Sequence, residues 1–218
     1  MKYKYLFFDL DGTLTDSAEG ITNSVEHALN KFGITVDDKS KLGRFLGPPL
    51  VPAFMEFYGF SEEDAKQAVV YYRERFSTIG LFENRVYDGI PELLTSLKSK
   101  GYKLIIATSK PEQFSVRITD HFDLTKYFDC IAGATFDGKI GTKQEVIEYA
   151  ISKVGISNVS EILMIGDRHH DVEGSRALGI DCIGVLYGYG DRAELEGAGA
   201  TYIAESVSDI EKIITSIQ

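Results

Sequence analysis

Tyr5-Leu6-Phe7-Phe8-Asp9-Leu10-Asp11-Gly12-Thr13-Leu14 is an apolar, aromatic run that stops on two carboxylates and a glycine. A short apolar run closed by a Gly turn is the pattern of a strand buried on both faces, in the middle of a parallel sheet. That strand is expected over Tyr3 to Leu10. Runs of the same kind follow at Lys103 to Ala107, Cys130 to Ala132, Ile162 to Ile165, Cys182 to Val185 and Tyr202 to Ala204. Helical patterns over 90–100, 112–121, 142–154, 171–178 and 206–216 separate them. Strands alternating with helices predict an α/β fold with a parallel sheet covered on both faces.

One segment departs from this alternation. No strand is expected between about Asp16 and Glu83. Ile21, Val25, Ala28, Leu29 and Phe32 recur at helical spacing, and Pro48-Pro49 breaks the chain before a second helix carrying Phe54, Phe57 and Tyr58. Those three aromatics are read as exposed and available to an interface. Ser61, with Glu63 and Asp64 behind it, opens a third helix as its cap. Ligands of open α/β sheets bind beyond the carboxyl ends of the strands. Those ends carry Asp9 and Asp11, then Thr108-Ser109-Lys110, then Gly166-Asp167. The helical insertion leaves the chain beside the same cleft and is expected to act as a lid.

The 218 residues suffice for one large or two modest domains. A 44% hydrophobic and 26% charged composition is that of an ordinary globular protein. No apolar run approaches the roughly 18 residues of a membrane helix. After Met1-Lys2-Tyr3-Lys4, the apolar stretch runs straight into Asp9 and Asp11, where a signal peptide stays apolar. A cytoplasmic protein with no membrane partner is therefore expected. The net charge of -10 argues against a nucleic-acid surface, which needs clustered cations. It leaves an anionic substrate possible, because a metal ion and a few local cations reverse the field inside a cleft. Cys130 and Cys182 fit no metal-ligand spacing and read as reduced thiols.

Asp9 and Asp11, two residues apart on extended chain, project to one side. One carboxylate can attack phosphorus, and a second can protonate the leaving oxygen and later take a proton from water. Asp-x-Asp-Gly also suits a turn or helix cap. Asp167 ends an apolar strand and Asp171 follows four residues later. Mg²⁺ prefers oxygen ligands and is often held by one or two carboxylates, for which Asp9 and Asp167 are candidates. An acidic helix N-terminus is the other reading, and it explains Asp171 better than Asp167. Thr108 and Ser109 follow a strand, where hydroxyl and N–H groups bind phosphate or cap the next helix. Lys143 lies at the start of a helix, an electrostatically unfavourable place for a cation unless an anion is near. A solvated surface lysine is the alternative.

Taken together, these elements resemble the haloacid dehalogenase-like (HAD) hydrolase superfamily over essentially the whole chain. The first motif is complete as Asp9-Leu10-Asp11-Gly12-Thr13-Leu14, the second matches Thr108, the third Lys143 by order, and the fourth Gly166, Asp167 and Asp171. The resemblance implies a Rossmann-like core over 1–14 and 85–218 with a helical cap over 15–84, of the phosphoglycolate phosphatase-like branch. It implies Asp9 as nucleophile, Asp11 as general acid/base, Thr108 and Lys143 as phosphate binders, and Mg²⁺ held by Asp9, Asp167 and the Asp11 backbone carbonyl. Asp171 is implied to support the site from behind or through water. Many relatives carry Lys-Pro-x-Pro at the third motif; this chain reads Lys143-Gln144-Glu145.

In relatives the loop equivalent to Gly43-Arg44-Phe45-Leu46-Gly47-Pro48-Pro49 selects the substrate, and Arg44 is a candidate for a second anionic group or an exposed cap residue. His169 and His170 occupy variable positions of the fourth motif and read as surface or supporting residues. The leading expectation is a Mg²⁺-dependent phosphatase acting through an aspartyl-phosphate on a small phosphorylated metabolite, as a monomer or homodimer. Phosphoglycolate, a nucleoside monophosphate or a sugar phosphate would serve. A sugar-phosphate mutase and a pyrophosphatase of the same fold are the alternatives.

Overall fold

Leu6, Phe7 and Phe8 are fully buried, and so are their neighbours on either side in the sheet. In the computed structural model, which describes residues 2–217, Tyr5–Phe8 is a central strand. It pairs in parallel with Lys103–Pro111 on one side and Ile162–Gly166 on the other, Phe7 lying opposite Ile105 and Met164. Cys130–Ala134 extends the sheet beyond the Lys103 strand; Asp181–Val185 and Tyr202–Ala204 extend it beyond the Ile162 strand. All pairings in this six-stranded sheet are parallel.

Alternate residues of the sheet serve opposite faces. Phe7, Ile105, Ala107, Met164 and Cys182 pack with Val146, Ile147, Ala150, Val172 and Leu195 from the covering helices. Leu6, Phe8, Leu104, Ile106, Leu163 and Ile165 are buried as completely on the alternate positions. Both faces are therefore covered, which explains why these strands read as continuous apolar runs. Helix Lys143–Val154 packs on strands Lys103–Pro111 and Cys130–Ala134 and against helix His169–Ala177. Helices Ile90–Ser99 and Val207–Ser216 pack together.

Several features differ from expectation. The central strand ends at Phe8, because Leu10 O accepts from the amides of Leu14 and Thr15 and closes a turn. The second strand runs on to Pro111, with its register broken between Thr108 and Pro111. A short helix, Arg192–Ala198, was not foreseen; Asp191 caps it by accepting from Glu194 N at 2.8 Å. Among the described residues, no helix is long and apolar enough to cross a membrane. Cys130 and Cys182 are free thiols, Cys182 buried.

The chain divides into two compact units, 16–85 and the remainder. In the smaller unit, helices Ala18–Lys31 and Leu50–Tyr58 both pack against Glu62–Arg75. Ser61 caps the last of these, accepting from Asp64 N at 3.1 Å. Gly20 is required where it stands, since a Cβ there would meet Gly80 O at 2.0 Å. Arg75 forks onto both oxygens of Glu83 at 2.6 Å. Phe54 is fully buried, with Phe45 and Phe60 ring centroids at 5.0 and 5.8 Å. Phe57 and Tyr58 are half-buried against Phe45 at 5.3 and 6.1 Å. The expectation that these aromatics lie exposed is therefore corrected: Phe54 belongs to the interior of the helical unit, with Leu29, Leu42, Val69 and Phe76, and Phe57 and Tyr58 are partly covered.

Candidate active site

The ends of three neighbouring strands and the first turns of two helices bring four carboxylates and two ammonium groups together in the larger unit. Asp9 continues the ladder past the central strand by donating its N–H to Ile165 O at 2.9 Å. Its carboxylate is buried and accepts from Lys143 Nζ at 2.6 Å. Lys143 also donates to Ala107 O at 3.0 Å and pairs with Asp171 at 2.6 Å. The lysine is the first residue of its helix. Thr142 caps that helix by accepting from Glu145 N, and Glu145 accepts in return from Gly141 N and Thr142 N at 2.9 Å. This capping box fixes the helix start and so aims Lys143 inward. Burial pulls the lysine's pKa down, but Asp171 and Asp9 prevail and hold it above the ordinary value.

Asp167 is completely buried at the end of its strand. It accepts from Tyr189 N at 2.8 Å and from Thr13 Oγ1 at 3.4 Å. Burial, then the Asp171 and Asp9 charges, push its pKa well up. Burial likewise raises Asp9 to about 6, against the pull of Lys143. Asp171 accepts from Arg168 N at 3.1 Å and leaves no room at Gly166, where a Cβ would sit 2.3 Å from its carboxyl carbon. Asp9, Asp167 and Asp171 each place an oxygen within 4.8 Å of the others.

Asp11 stands apart from that trio. Its Oδ2 accepts from Lys110 Nζ at 2.5 Å, while its Oδ1 is buried with no hydrogen-bond partner among the described residues. Thr108 is buried, and its hydroxyl accepts from Lys110 N at 3.2 Å. Ser109 is exposed. Neither caps the following helix, Glu112–His121, whose cap position is Pro111.

Four carboxylates against two ammonium groups leave two negative charges uncompensated when all are ionised. The buried oxygen trio and the raised pKa values of Asp9 and Asp167 mark a site short of positive charge. A hard divalent cation fits such an all-oxygen donor set.

Arg44 belongs to the smaller unit. There its guanidinium donates to Phe57 O at 3.3 Å and lies over the Phe57 and Tyr58 rings, 4.5 and 5.2 Å from their centroids. His169 is tied to Glu194 through Nδ1 at 2.8 Å, and Arg168 Nε reaches the same oxygen at 2.7 Å. His170 packs on His169, and burial lowers its pKa. Sequence reading placed Lys110 at a strand end without giving it a role, and missed the segment Tyr187-Gly188-Tyr189. Tyr187 donates to Thr13 O at 2.9 Å, and a Cβ on Gly188 would lie 2.4 Å from both Asp167 Cβ and Gly12 O. The available signal was a Gly-rich stretch directly after the apolar run ending at Val185.

Gly12 is the tightest point. Its φ is +83°, and a Cβ there would lie 2.1 Å from Asp167 Oδ2. Gly12→Ala combines left-handed strain with a clash on a buried carboxylate. It should destabilise the fold by about 1–3 kcal/mol and depress turnover. Urea denaturation and steady-state rates measure the two effects; wild-type values in both would show that the loop relaxes at no cost.

Residues 6–185 match the family described as haloacid dehalogenase-like hydrolase. A 5'-nucleotidase of Pseudomonas aeruginosa is 44% identical over 216 residues, covering 99% of this chain and 97% of its own length. A protein of Mycobacterium tuberculosis named tyrosine-protein kinase PtkA is 39% identical over 95% of this chain and 70% of its own. The crystal structure of a predicted phosphatase from Clostridium acetobutylicum superposes with a TM-score of 0.95 at 52% identity, covering 99% of this chain and all of the other. The fold and the acidic cluster define a hydrolase of the α/β class. The chain belongs to the haloacid dehalogenase-like hydrolase family, as an enzyme of its phosphatase group.

Proposed function

We propose that this enzyme is a Mg²⁺-dependent phosphomonoesterase that forms an aspartyl-phosphate on Asp9. The observation that carries the reading is the convergence of Asp9, Asp167 and Asp171 beyond the carboxyl ends of adjacent strands, with Lys143 paired to Asp9 and Asp171. With a pKa of about 6, Asp9 is mostly ionised at neutral pH and available as a nucleophile. Lys143 occupies Asp9 Oδ1, so Oδ2 is the oxygen that attacks phosphorus as the bond to the leaving oxygen breaks. Asp11 gives that oxygen a proton. Water then attacks phosphorus, Asp11 takes the proton back, and inorganic phosphate and the Asp9 carboxylate separate. Lys143 keeps Asp9 oriented and offers charge to the phosphoryl group, and Thr108 and Ser109 are the proposed additional phosphate contacts. Asp9, Asp167 and the Asp11 carbonyl would hold the ion, which would supply positive charge to offset repulsion between carboxylate and phosphate dianion.

The smaller unit takes the part of the cap, with Arg44 as its candidate for a second anionic group on the substrate. Among small substrates, nucleoside 5'-monophosphates rank first, because a relative 44% identical bears the name 5'-nucleotidase. The test is phosphate release from nucleoside monophosphates, phosphoglycolate, sugar phosphates and pyrophosphate, with Mg²⁺ and with EDTA. Release that needs Mg²⁺ supports the reading. Isomerised sugar phosphate without free phosphate would point to a mutase, and transfer from ATP to a tyrosyl peptide to a kinase such as the name PtkA describes.

A stability measurement addresses the metal separately. A carboxyl whose folded pKa is raised binds its proton more tightly when folded. Its contribution to stability is therefore complete below its ordinary pKa near 4 and is lost as pH rises through about 6. In EDTA, the stability difference between wild type and Asp9→Asn should shift towards the variant over that window by about 1–3 kcal/mol. Mg²⁺ at pH 7 should raise the wild-type melting temperature more than the variant's. A flat difference across pH 4 to 7 would contradict the burial of an ionised Asp9.

A further inference from the structure

We propose that Lys110 is a positioning residue for Asp11, holding the carboxylate by Oδ2 so that Oδ1 is the oxygen presented to the leaving group. The inference rests on the reading of Asp11 as acid and base. Lys110 follows Thr108 by two residues in the stretch where the sheet register breaks, and this irregularity sets the segment that carries it. The Thr108 hydroxyl, itself buried, accepts from the Lys110 amide at 3.2 Å and holds that segment. The lysine side chain is only 6% exposed. Its ammonium meets Asp11 Oδ2 at 2.5 Å, so one carboxylate oxygen is committed to an ion pair.

The other oxygen, Oδ1, is buried and has no donor among the described residues. With Oδ2 held by the ammonium, Oδ1 is the oxygen left to face the leaving group, and Asp11 exchanges its proton through it. From there the proton passes to the leaving oxygen as the phosphorus–oxygen bond breaks. The proton lost by the attacking water returns to the same atom. Lys143 is already committed to Asp9 and Asp171, so the two buried lysines divide the work: one serves the nucleophile, the other the acid.

An acid that protonates the leaving group matters most when that group is a poor one. The experiment compares a nucleoside 5'-monophosphate, whose leaving group is an alkoxide, with p-nitrophenyl phosphate, whose leaving group departs unaided. Wild type, Lys110→Met, Lys110→Arg, Asp11→Asn and the double variant Asp11→Asn/Lys110→Met are measured. Asp11→Asn should lose about 10²-fold more kcat on the alkyl ester than on the aryl ester. Lys110→Met should show the same split, and Lys110→Arg should recover part of it. The double variant should show no split beyond Asp11→Asn. It also removes both charges, so it stays informative if the lone Asp11 of Lys110→Met impairs folding.

An equal loss on both esters, or a rise in KM alone, would make Lys110 a phosphate-binding or structural cation and overturn the proposal. If Asp11→Asn shows no split, the acid reading of Asp11 fails and the proposal with it. If Asp11→Asn shows the split and Lys110→Met does not, the proposal fails alone.

Discussion

Asp9→Asn should abolish turnover while leaving the protein folded. A carboxamide is no nucleophile towards phosphorus, and no other carboxylate lies at the end of the central strand with a free approach: Asp11 is engaged by Lys110, Asp171 by Lys143 and the Arg168 amide, and Asp167 by the Tyr189 amide and Thr13. The expected fall in kcat is on the order of 10⁴-fold or more, the scale for loss of an essential nucleophile. Folding should survive because Lys143 keeps Asp171 and the Ala107 carbonyl as partners. Removing one of several crowded carboxylates relieves repulsion, so the metal-free variant should be at least as stable as wild type at pH 7. Residual turnover within tenfold of wild type would exclude Asp9 as the nucleophile.

Lys143→Met should cost both activity and stability. The lysine is the cation shared by Asp9 and Asp171, and its side chain is 4% exposed. Methionine fills much of the same volume but leaves buried carboxylates facing one another. Breaking a buried ion pair from one side typically costs about 3–5 kcal/mol. Lys143 pulls the Asp9 pKa down, so in the variant Asp9 takes up its proton above the wild-type value of about 6, and the deficit should be smaller at pH 5 than at pH 7.5. Turnover at neutral pH should fall by orders of magnitude. Arginine should not substitute well, because Gly174 lies against the lysine stem, with a Cβ position 2.9 Å from Lys143 Cγ. Denaturation midpoints at pH 5 and pH 7.5 with kcat for each variant decide it; wild-type values in both would place Lys143 outside the site.

The strands were legible because a sheet buried on both faces must be built from continuous apolar runs, and each such run ends where solvent and chemistry begin. Asp9 and Asp167 stood out for that reason: each is a charge where an apolar strand stops. Lys143 was readable as an anomaly, a cation at a helix start, and by its order among the motifs; its two carboxylate partners, Asp9 after a strand and Asp171 on a helix, are far off in the sequence, where no local pattern reports them. Asp171 reads as a supporting residue, and its oxygen lies within 4.8 Å of those of Asp9 and Asp167. Lys110 was legible only as one of the polar residues at a strand end, with no role; the sheet irregularity after Thr108 carries it inward to Asp11, which no local pattern reports. Phe54, Phe57 and Tyr58 were misjudged because helical periodicity gives the apolar side of a helix without saying whether a partner covers it. In the smaller unit Phe45 and Phe60 are among those partners.

The central claim is a covalent phosphoryl group on Asp9, and borohydride trapping tests it most directly. Borohydride reduces an acyl-phosphate to an alcohol, turning the modified aspartate into homoserine at its own position. Enzyme turning over a nucleoside 5'-monophosphate with Mg²⁺ is quenched into borohydride and digested, and its peptides are sequenced by mass spectrometry. The account predicts homoserine at position 9, with Asp11, Asp167 and Asp171 unchanged, and none in EDTA or without substrate. Homoserine at another position, or none at all while phosphate is being released, would contradict it.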